Sequence, residues 1–361
     1  SVAARNLLSG NFDGAGVRVT GGEVAVQGNY IGVGADGLTP RSNNDGVVVT
    51  GGIVVVGGTA AGAGNLITGN EATGITLGSG SIGTTVLGNR IGGDQSGGAL
   101  AHNGAAQVRV TGSASGNQIG SFAPGGGNTV LDMSGTGPIV LDGAGTGNTV
   151  RGNLVQLSGP TFRTAIDRGA AGITVAGTPQ LTAVYTSGTR SQVLGTLAGL
   201  PNTTYALDLY TDAACDSTLH RGVDGYFGSG TVSTDGTGQG VISVPVAAVA
   251  PDGTTRLLAT VTDPLGSTSE LGTCAQSPEA APTLELSAAD YSARESERVV
   301  HLTVTRTGGG PGSAGIRVRT HDGTARAGTD YTAVDFYATV NADQTQTVVD
   351  IPVKDDGLRA G

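Results

Sequence analysis

Residues 64–92 read GNLITGNEATGITLGSGSIGTTVLGNRIG, and they align with residues 5–32, RNLLSGNFDGAGVRVTGGEVAVQGNYIG, at an offset of 59 to 60. Each copy sets short β-rich pieces between glycine turns: Val17 to Val19 and Val24 to Val26 in the first, Ile75 to Leu77 and Thr85 to Leu87 in the second. Strands this short cannot build a sandwich sheet alone. They become stable when each coil stacks its strand on the same strand of the next, so that backbone bonds run along the axis and Ile, Leu and Val fill the interior. A Gly-Asn step followed by one residue and then Ile or Val recurs at Asn29, Asn65, Asn89, Asn117, Asn128, Asn148 and Asn153. Asparagine suits the left-handed backbone of a tight bend, and stacked asparagines can share amide bonds as a ladder. Coils near 20 residues would place three in each long repeat.

Composition divides the rest of the chain. Of 65 glycines, 40 fall in residues 1–160, leaving 65 − 40 = 25 for the remaining 201. Acidic residues run the other way, with 12 of 29 in residues 278–361. A net charge of −10 with 18 arginines and one lysine, Lys354, excludes a nucleic-acid surface, which needs clustered cations. The acidic balance suits calcium-rich extracellular surroundings. No apolar run approaches the ~20 residues of a membrane span. Ser1 opens directly into the repeat, so we read the sequence as a fragment whose export signal and anchor, if any, lie outside it.

Phrases such as GGTAAGAGNLITGN (57–70) and GNYIGVGADG (28–37) resemble the right-handed parallel β-helix regions of large bacterial surface proteins. That resemblance covers residues 1–160. Parallel β-helices also host polysaccharide-cleaving enzymes, in which grouped aspartates work with a basic partner on an acidic glycan. Here Asp132 and Asp142 follow matching Val-Leu pairs but lack an Arg-x-Lys or His-Gly companion, and both also read as strand-end turn residues. His102 has no nucleophile partner by motif and reads as a loop residue.

Between residues 161 and 277 apolar and polar residues alternate in SQVLGTLAGL (191–200), TYALDLYTD (204–212), GTVSTDGTGQGVISVPV (230–246) and TRLLATVTDPLGSTSEL (255–271), the period of an antiparallel sandwich. Asp235 to Gly238 is expected as a hairpin turn and Asp263 to Gly266 as another. The only cysteines, Cys215 and Cys274, allow one bridge, which would close a loop of about 60 residues and stabilise by roughly 4 kcal/mol in an oxidising compartment; two buried free thiols are the alternative. LPNTTYALDLYTDAACD (200–216) with DPLGSTSELGTC (263–274) looks like the immunoglobulin-like module that follows such β-helices, a spacer.

After the linker-like QSPEAAPT (276–283), three motifs follow in order: DYSARESERVVHLTVTRTGG (290–309), VRTHDGTARAGTDYT (318–332) and IPVKDD (351–356). Together they resemble the Calx-beta domain, a β-sandwich of sodium/calcium exchangers that also recurs in bacterial surface proteins. In family members that bind calcium, carboxylates at one tip hold the ion. The resemblance implies that role for Glu295, Asp322, Asp355 and Asp356, with Asp330 a turn residue. The glutamate expected five positions past Asp355 is replaced by Ala360, and the chain ends at Gly361 before the family's closing strands. Asp322 also reads as ordinary turn chemistry in an Asp-Gly step. The expectation for residues 1–361 is an all-β chain: a right-handed parallel β-helix (1–160), an Ig-like β-sandwich (161–277) and a truncated Calx-beta domain (278–361). Its expected work is that of a non-enzymatic surface or adhesion scaffold, extracellular or on a bacterial surface, with calcium as cofactor. Surface glycans or other cell-surface proteins are the expected partners, and a polysaccharide-active β-helix is the alternative.

Overall fold

A computed structural model describes residues 5–98, 102–132, 137–157, 164–169, 177–187, 189–213, 222–248, 256–275, 279–280, 282–307, 313–341 and 344–355. The protein is all-β. The turn Glu295–Glu297 is the only helical segment among the described residues, and none of their helices is long and apolar enough to cross a membrane. The chain divides into two compact units, Ser1–Val184 with Thr189–Pro278 and Tyr185–Gly188 with Glu279–Gly361.

The N-terminal part of the first unit is a parallel solenoid. One face stacks Leu7–Leu8, Tyr30–Ile31, Leu66–Ile67, Arg90–Ile91, Thr129–Asp132 and Leu154–Leu157 in parallel register. A second face carries the register Val17, Val47, Ile75, Val108, Ile139, Ile166, and a third carries Val55, Thr85, Gln118, Thr149. The long strand Asp45–Gly57 belongs to both: its first half pairs with Ile75–Leu77 and its second with Thr85–Leu87. Inward residues of the three faces, among them Ile31, Ile67, Ile91, Val47, Ile75, Val86 and Ile119, are fully buried in one core.

The register corrects the expected coil length. On the first face Tyr30 stacks on Leu66 and Leu66 on Arg90, steps of 66 − 30 = 36 and 90 − 66 = 24 residues. Each 60-residue repeat therefore holds two coils of unequal length, not three of 20. Hydrophobic spacing marks strands but not how many make a turn; a coil of three faces and three corners needs about 30 residues. Long coils spend their extra residues after the first face, in loops that include residues 34–42 and 93–98.

Asparagines fix the corners. Asn6, Asn29, Asn65, Asn89, Asn128 and Asn153 form a ladder in which each side-chain amide donates to the next Oδ1, at 2.9 to 3.0 Å. A second ladder, Asn11, Asn43, Asn70, Asn103, continues to Gln107. A third runs from Ser81 through Asn117 to Asn148. Rungs inside the stack also satisfy buried backbone groups; Asn89 Nδ2 donates to the Val56 carbonyl at 2.9 Å. Glycine is required where a corner meets the next coil: Gly57 has φ +84°, and a Cβ there would sit 2.0 Å from the Leu87 carbonyl oxygen.

The described strands between Gln180 and Thr262 form a two-sheet sandwich. Gln239–Val246, Arg190–Ala198 and Gln180–Ser187 neighbour one another in one sheet; Gly225–Ser233, Thr204–Asp212 and Arg256–Thr262 make the other. Alternate residues such as Val193, Tyr205, Leu207, Ile242 and Val261 fill the space between. The Asp235 turn is not a hairpin: it carries the chain from one sheet to the other, with a single bridge, Thr234 to Gly240, across its neck. Asp235 Oδ1 accepts from the Thr237 and Gln239 amides at 2.8 and 3.0 Å, the local chemistry expected of the sequence, but an Asp-Gly turn does not specify whether the strands it joins pair.

This sandwich is continuous with the solenoid. Tyr210, Val223, Leu258 and Leu271 belong to the same buried cluster as the solenoid residues Ile139, Val150, Val155 and Ile166. Val155 and Val223 exchange both backbone hydrogen bonds at 2.8 Å. The gap between the two parts is about 10 Å³, no larger than a single water. Arg151 reaches across to the fully buried Asp208, with Nε to Oδ2 at 2.6 Å and Nη2 to Oδ1 at 2.7 Å. The expected turn at Asp263 to Gly266 docks on the solenoid: Thr149 Oγ1 donates to the Gly266 carbonyl and the Gly147 amide to Ser267 Oγ. A stack of coils leaves its last apolar layer open, and the sandwich covers it.

In the second unit Thr283–Leu286, Val299–Thr307 and Gln346–Pro352 form an antiparallel sheet, and Ala314–Arg319 pairs antiparallel with Asp335–Val340. Val304, Ala338, Val340, Val349 and Ile351 are its core.

Candidate functional site

Three segments of the second unit meet at one end: the turn at 294–298, the loop at 320–332, and the strand end at 351–355. Backbone bonds tie them. The Val353 amide donates to the Arg298 carbonyl at 2.8 Å, Thr332 to Pro352 at 2.9 Å, and Lys354 to Asp330 at 2.8 Å. Arg298 takes a left-handed conformation, φ 60°, to end the turn that presents Glu295. A cleft of about 650 Å³ lies between the segments, lined by Glu295, Thr320, His321, Asp330 and Tyr331 on its polar side and by Val300, Ile351 and Val353 on its apolar side.

The sequence-derived carboxylates fall on all three segments. Glu295 faces the cleft. Asp322 sits in the loop beside it, exposed, and Oδ1 accepts from the Ala327 amide and the Tyr331 hydroxyl, both at 2.7 Å. These two donors hold its carboxyl below the usual aspartate range, and the same bond raises the Tyr331 phenol. Asp355 follows the last strand, and Asp356 lies outside the described residues. Among the described residues no three His, Cys, Asp or Glu side chains stand close enough to hold one ion. Asp330, read from sequence as a turn residue, does cap its turn, accepting from the Arg326 amide at 2.7 Å, yet it also lines the cleft with Glu295. Its place next to Tyr331, which also lines the cleft, was the available signal. The only lysine, Lys354, caps the Gly328 carbonyl at 2.6 Å.

A family model describes these residues. Residues 278–359 match the Calx-beta domain. No curated protein matches the chain. Among solved structures, the crystal structure of CBD12 from CALX1.2 is similar at 14% identity over 48% of this chain and 74% of that one, with a TM-score of 0.20. The calcium binding domain CBD12 of CALX1.1 is similar at 13% identity over 48% and 73%, with a TM-score of 0.21. The Calx-beta segment's oxygen donors, exposed carboxylates together with Thr320 and loop carbonyls, are of the kind a hard cation takes.

The other sequence candidates do not converge. Asp132 is buried on the first solenoid face, where Gln107 Nε2 lies 3.3 Å from its Oδ1. Asp142 is exposed on the second, 3.8 Å from Arg109. His102 stands exposed in a loop. Of the cysteines, Cys274 packs partly buried against the shared core and is not a free thiol, and Cys215 lies outside the described residues.

Proposed function

We propose that this chain is part of a non-enzymatic, exported scaffold of a bacterial surface, and that its Calx-beta segment binds calcium weakly. The observation carrying the reading is the match of residues 278–359 to a calcium-binding type of module, on a tip where Glu295, Asp322 and Asp330 come from two of three backbone-tied segments. Glu295, Asp322, Asp355 and Asp356 would hold the ion, with Asp330 and loop carbonyls completing a six-to-eight-oxygen shell. Asp322 would exchange its two present donors for the cation. Extracellular modules of this sort bind with Kd of about 10⁻⁴ to 10⁻³ M. The solenoid supplies length, and the second segment, on this reading an Ig-like sandwich held by a Cys215 to Cys274 bridge, closes the solenoid's end. Surface glycans or other cell-surface proteins are the partners such a scaffold would meet.

Calcium at ten times Kd adds about 1.4 kcal/mol to the segment that binds it. The test is isothermal titration of the chain with calcium and with magnesium, repeated on Asp322→Asn. The reading expects millimolar or tighter calcium binding, none for magnesium, and loss in the variant. Calcium binding that survives Asp322→Asn together with Glu295→Gln would place the ion elsewhere, and no binding at 10 mM would end the calcium reading.

A further inference from the structure

The solenoid carries a cavity that its packing does not explain. It lies on the outer side of the first face, about 190 Å³, lined by Arg5, Tyr30, Leu66, Arg90 and Gln95 over a floor at Gly64, Asn65 and Gly88. Two loops flank it, the one at 34–42 and the one at 93–98, joined by the Gln95 amide on the Gly37 carbonyl at 3.0 Å. Tyr30 is buried, and its hydroxyl donates to Gln95 Oε1 at 2.7 Å and accepts from Arg5, whose guanidinium lies 4.6 Å over the ring.

Arg90 is the anomaly. Its Nε is buried and has no hydrogen-bond partner, and its guanidinium pairs with no carboxylate among the described residues. Burying a guanidinium donor unpaired is costly, and the chain, at −10, has carboxylates to spare. Those of the flanking loops cap their own turns instead: Asp36 accepts from Leu38, Thr39 and the Thr39 hydroxyl, and Asp94 from Ser96 and Gly98. Two cations therefore border one small polar cavity with no anion supplied by the protein. Gln95 Nε2 and the Tyr30 hydroxyl add groups suited to hydroxyls. The lining mixes these polar groups with the apolar surface of Leu66 and the Tyr30 ring, as a sugar ring with hydroxyls would need, and 190 Å³ is below the ~300 Å³ of drug-sized sites.

We propose that this cavity binds a carboxylate-bearing sugar unit, with the Arg90 fork taking the carboxylate and Arg5 completing its charge, while Gln95 and Tyr30 contact ring hydroxyls. The proposal deepens the glycan part of the scaffold reading and rests on solenoid residues alone, so it needs no calcium. The test is titration of the full chain, in calcium-free buffer, with glucuronate, with glucose and with sulfate, monitored by calorimetry. Glucuronate is expected to bind in the millimolar range, with glucose and sulfate at least tenfold weaker. Arg90→Gln is expected to weaken glucuronate binding tenfold or more and Arg90→Lys less, because lysine keeps the charge and loses the fork. Since the Arg90 guanidinium donor is unpaired in the fold, thermal melting should not fall in either variant; should Arg90→Gln melt early, Arg5→Gln, with a similar expected loss, carries the test. Glucose or sulfate binding as tightly as glucuronate, undiminished binding in the arginine variants, or no binding at 50 mM would each overturn the proposal. Calcium titration of the same samples separates this failure from failure of the calcium reading.

Discussion

Replacing Arg151 by alanine removes the one charge that compensates Asp208, a carboxylate with no solvent exposure. Breaking a buried ion pair from one side costs 3–5 kcal/mol when the other charge is stranded. Arg151 is itself 29% exposed, so water softens the site, and about 3 kcal/mol is the expected loss for Arg151→Ala. The converse variant should cost less. In Asp208→Ala the guanidinium can swing toward solvent, and part of its stem still covers Phe122, whose ring lies 5.1 Å from the guanidinium carbon; about 1–2 kcal/mol is expected. At about 2–4 °C per kcal/mol for a unit of this size, the two variants should lower the melting temperature by roughly 6–12 °C and 2–8 °C. The apolar pair Arg151→Met with Asp208→Leu should recover most of the loss, since neither charge then has to be desolvated. The assay is urea and thermal unfolding of the three variants beside the parent. Equal losses in the two single variants, or a loss under about 1 kcal/mol in Arg151→Ala, would refute the claim that the Asp208 carboxylate is sealed from water and depends on Arg151.

The ladders and the tip give two further expectations. Asn89→Ala should cost about 2–4 kcal/mol by urea unfolding, because it takes their Asn89 partner from the Val56 carbonyl, the Asn65 backbone amide and one Asn65 side-chain N–H, all buried; a loss below 1 kcal/mol would mean the ladder is incidental. The Asp322 carboxyl is held low by the Ala327 amide and the Tyr331 hydroxyl, so its contribution to the loop is full above the ordinary aspartate range of ~4 and is lost as pH falls through its lower folded value. Amide exchange at Ala327 should therefore hold steady from pH 7 to about 5 and accelerate, beyond the intrinsic pH trend, only in acid; the same acceleration at neutral pH is expected in Asp322→Ala.

The sequence told most where one rule governs a residue. Ile75–Leu77 and Thr85–Leu87 stand where apolar spacing and glycine turns put them, because a stacked strand buries alternate residues whatever lies around it. Coil length was not legible, since strand spacing is blind to which strands share a face. The second ladder was visible in the repeat, where Asn11 aligns with Asn70, but its residues lack the Gly-Asn-x-Ile pattern of the first. The Arg151 to Asp208 contact spans 57 residues and two architectures, and no local pattern encodes it. At the tip, the motifs named Glu295, Asp322 and Asp355, which fall on three segments tied by backbone bonds. Asp330 caps its turn as the sequence suggested and also lines the cleft, since the two are compatible for one carboxylate.

Differential scanning calorimetry of the chain in calcium, in magnesium and in chelator tests the account most directly. The account predicts two transitions: a larger one for the solenoid and its sandwich, indifferent to the ion, and a smaller one for the Calx-beta unit that rises by about 5–10 °C in calcium alone. A larger transition that moves with calcium, or a smaller one that stays fixed in all three conditions, would contradict it.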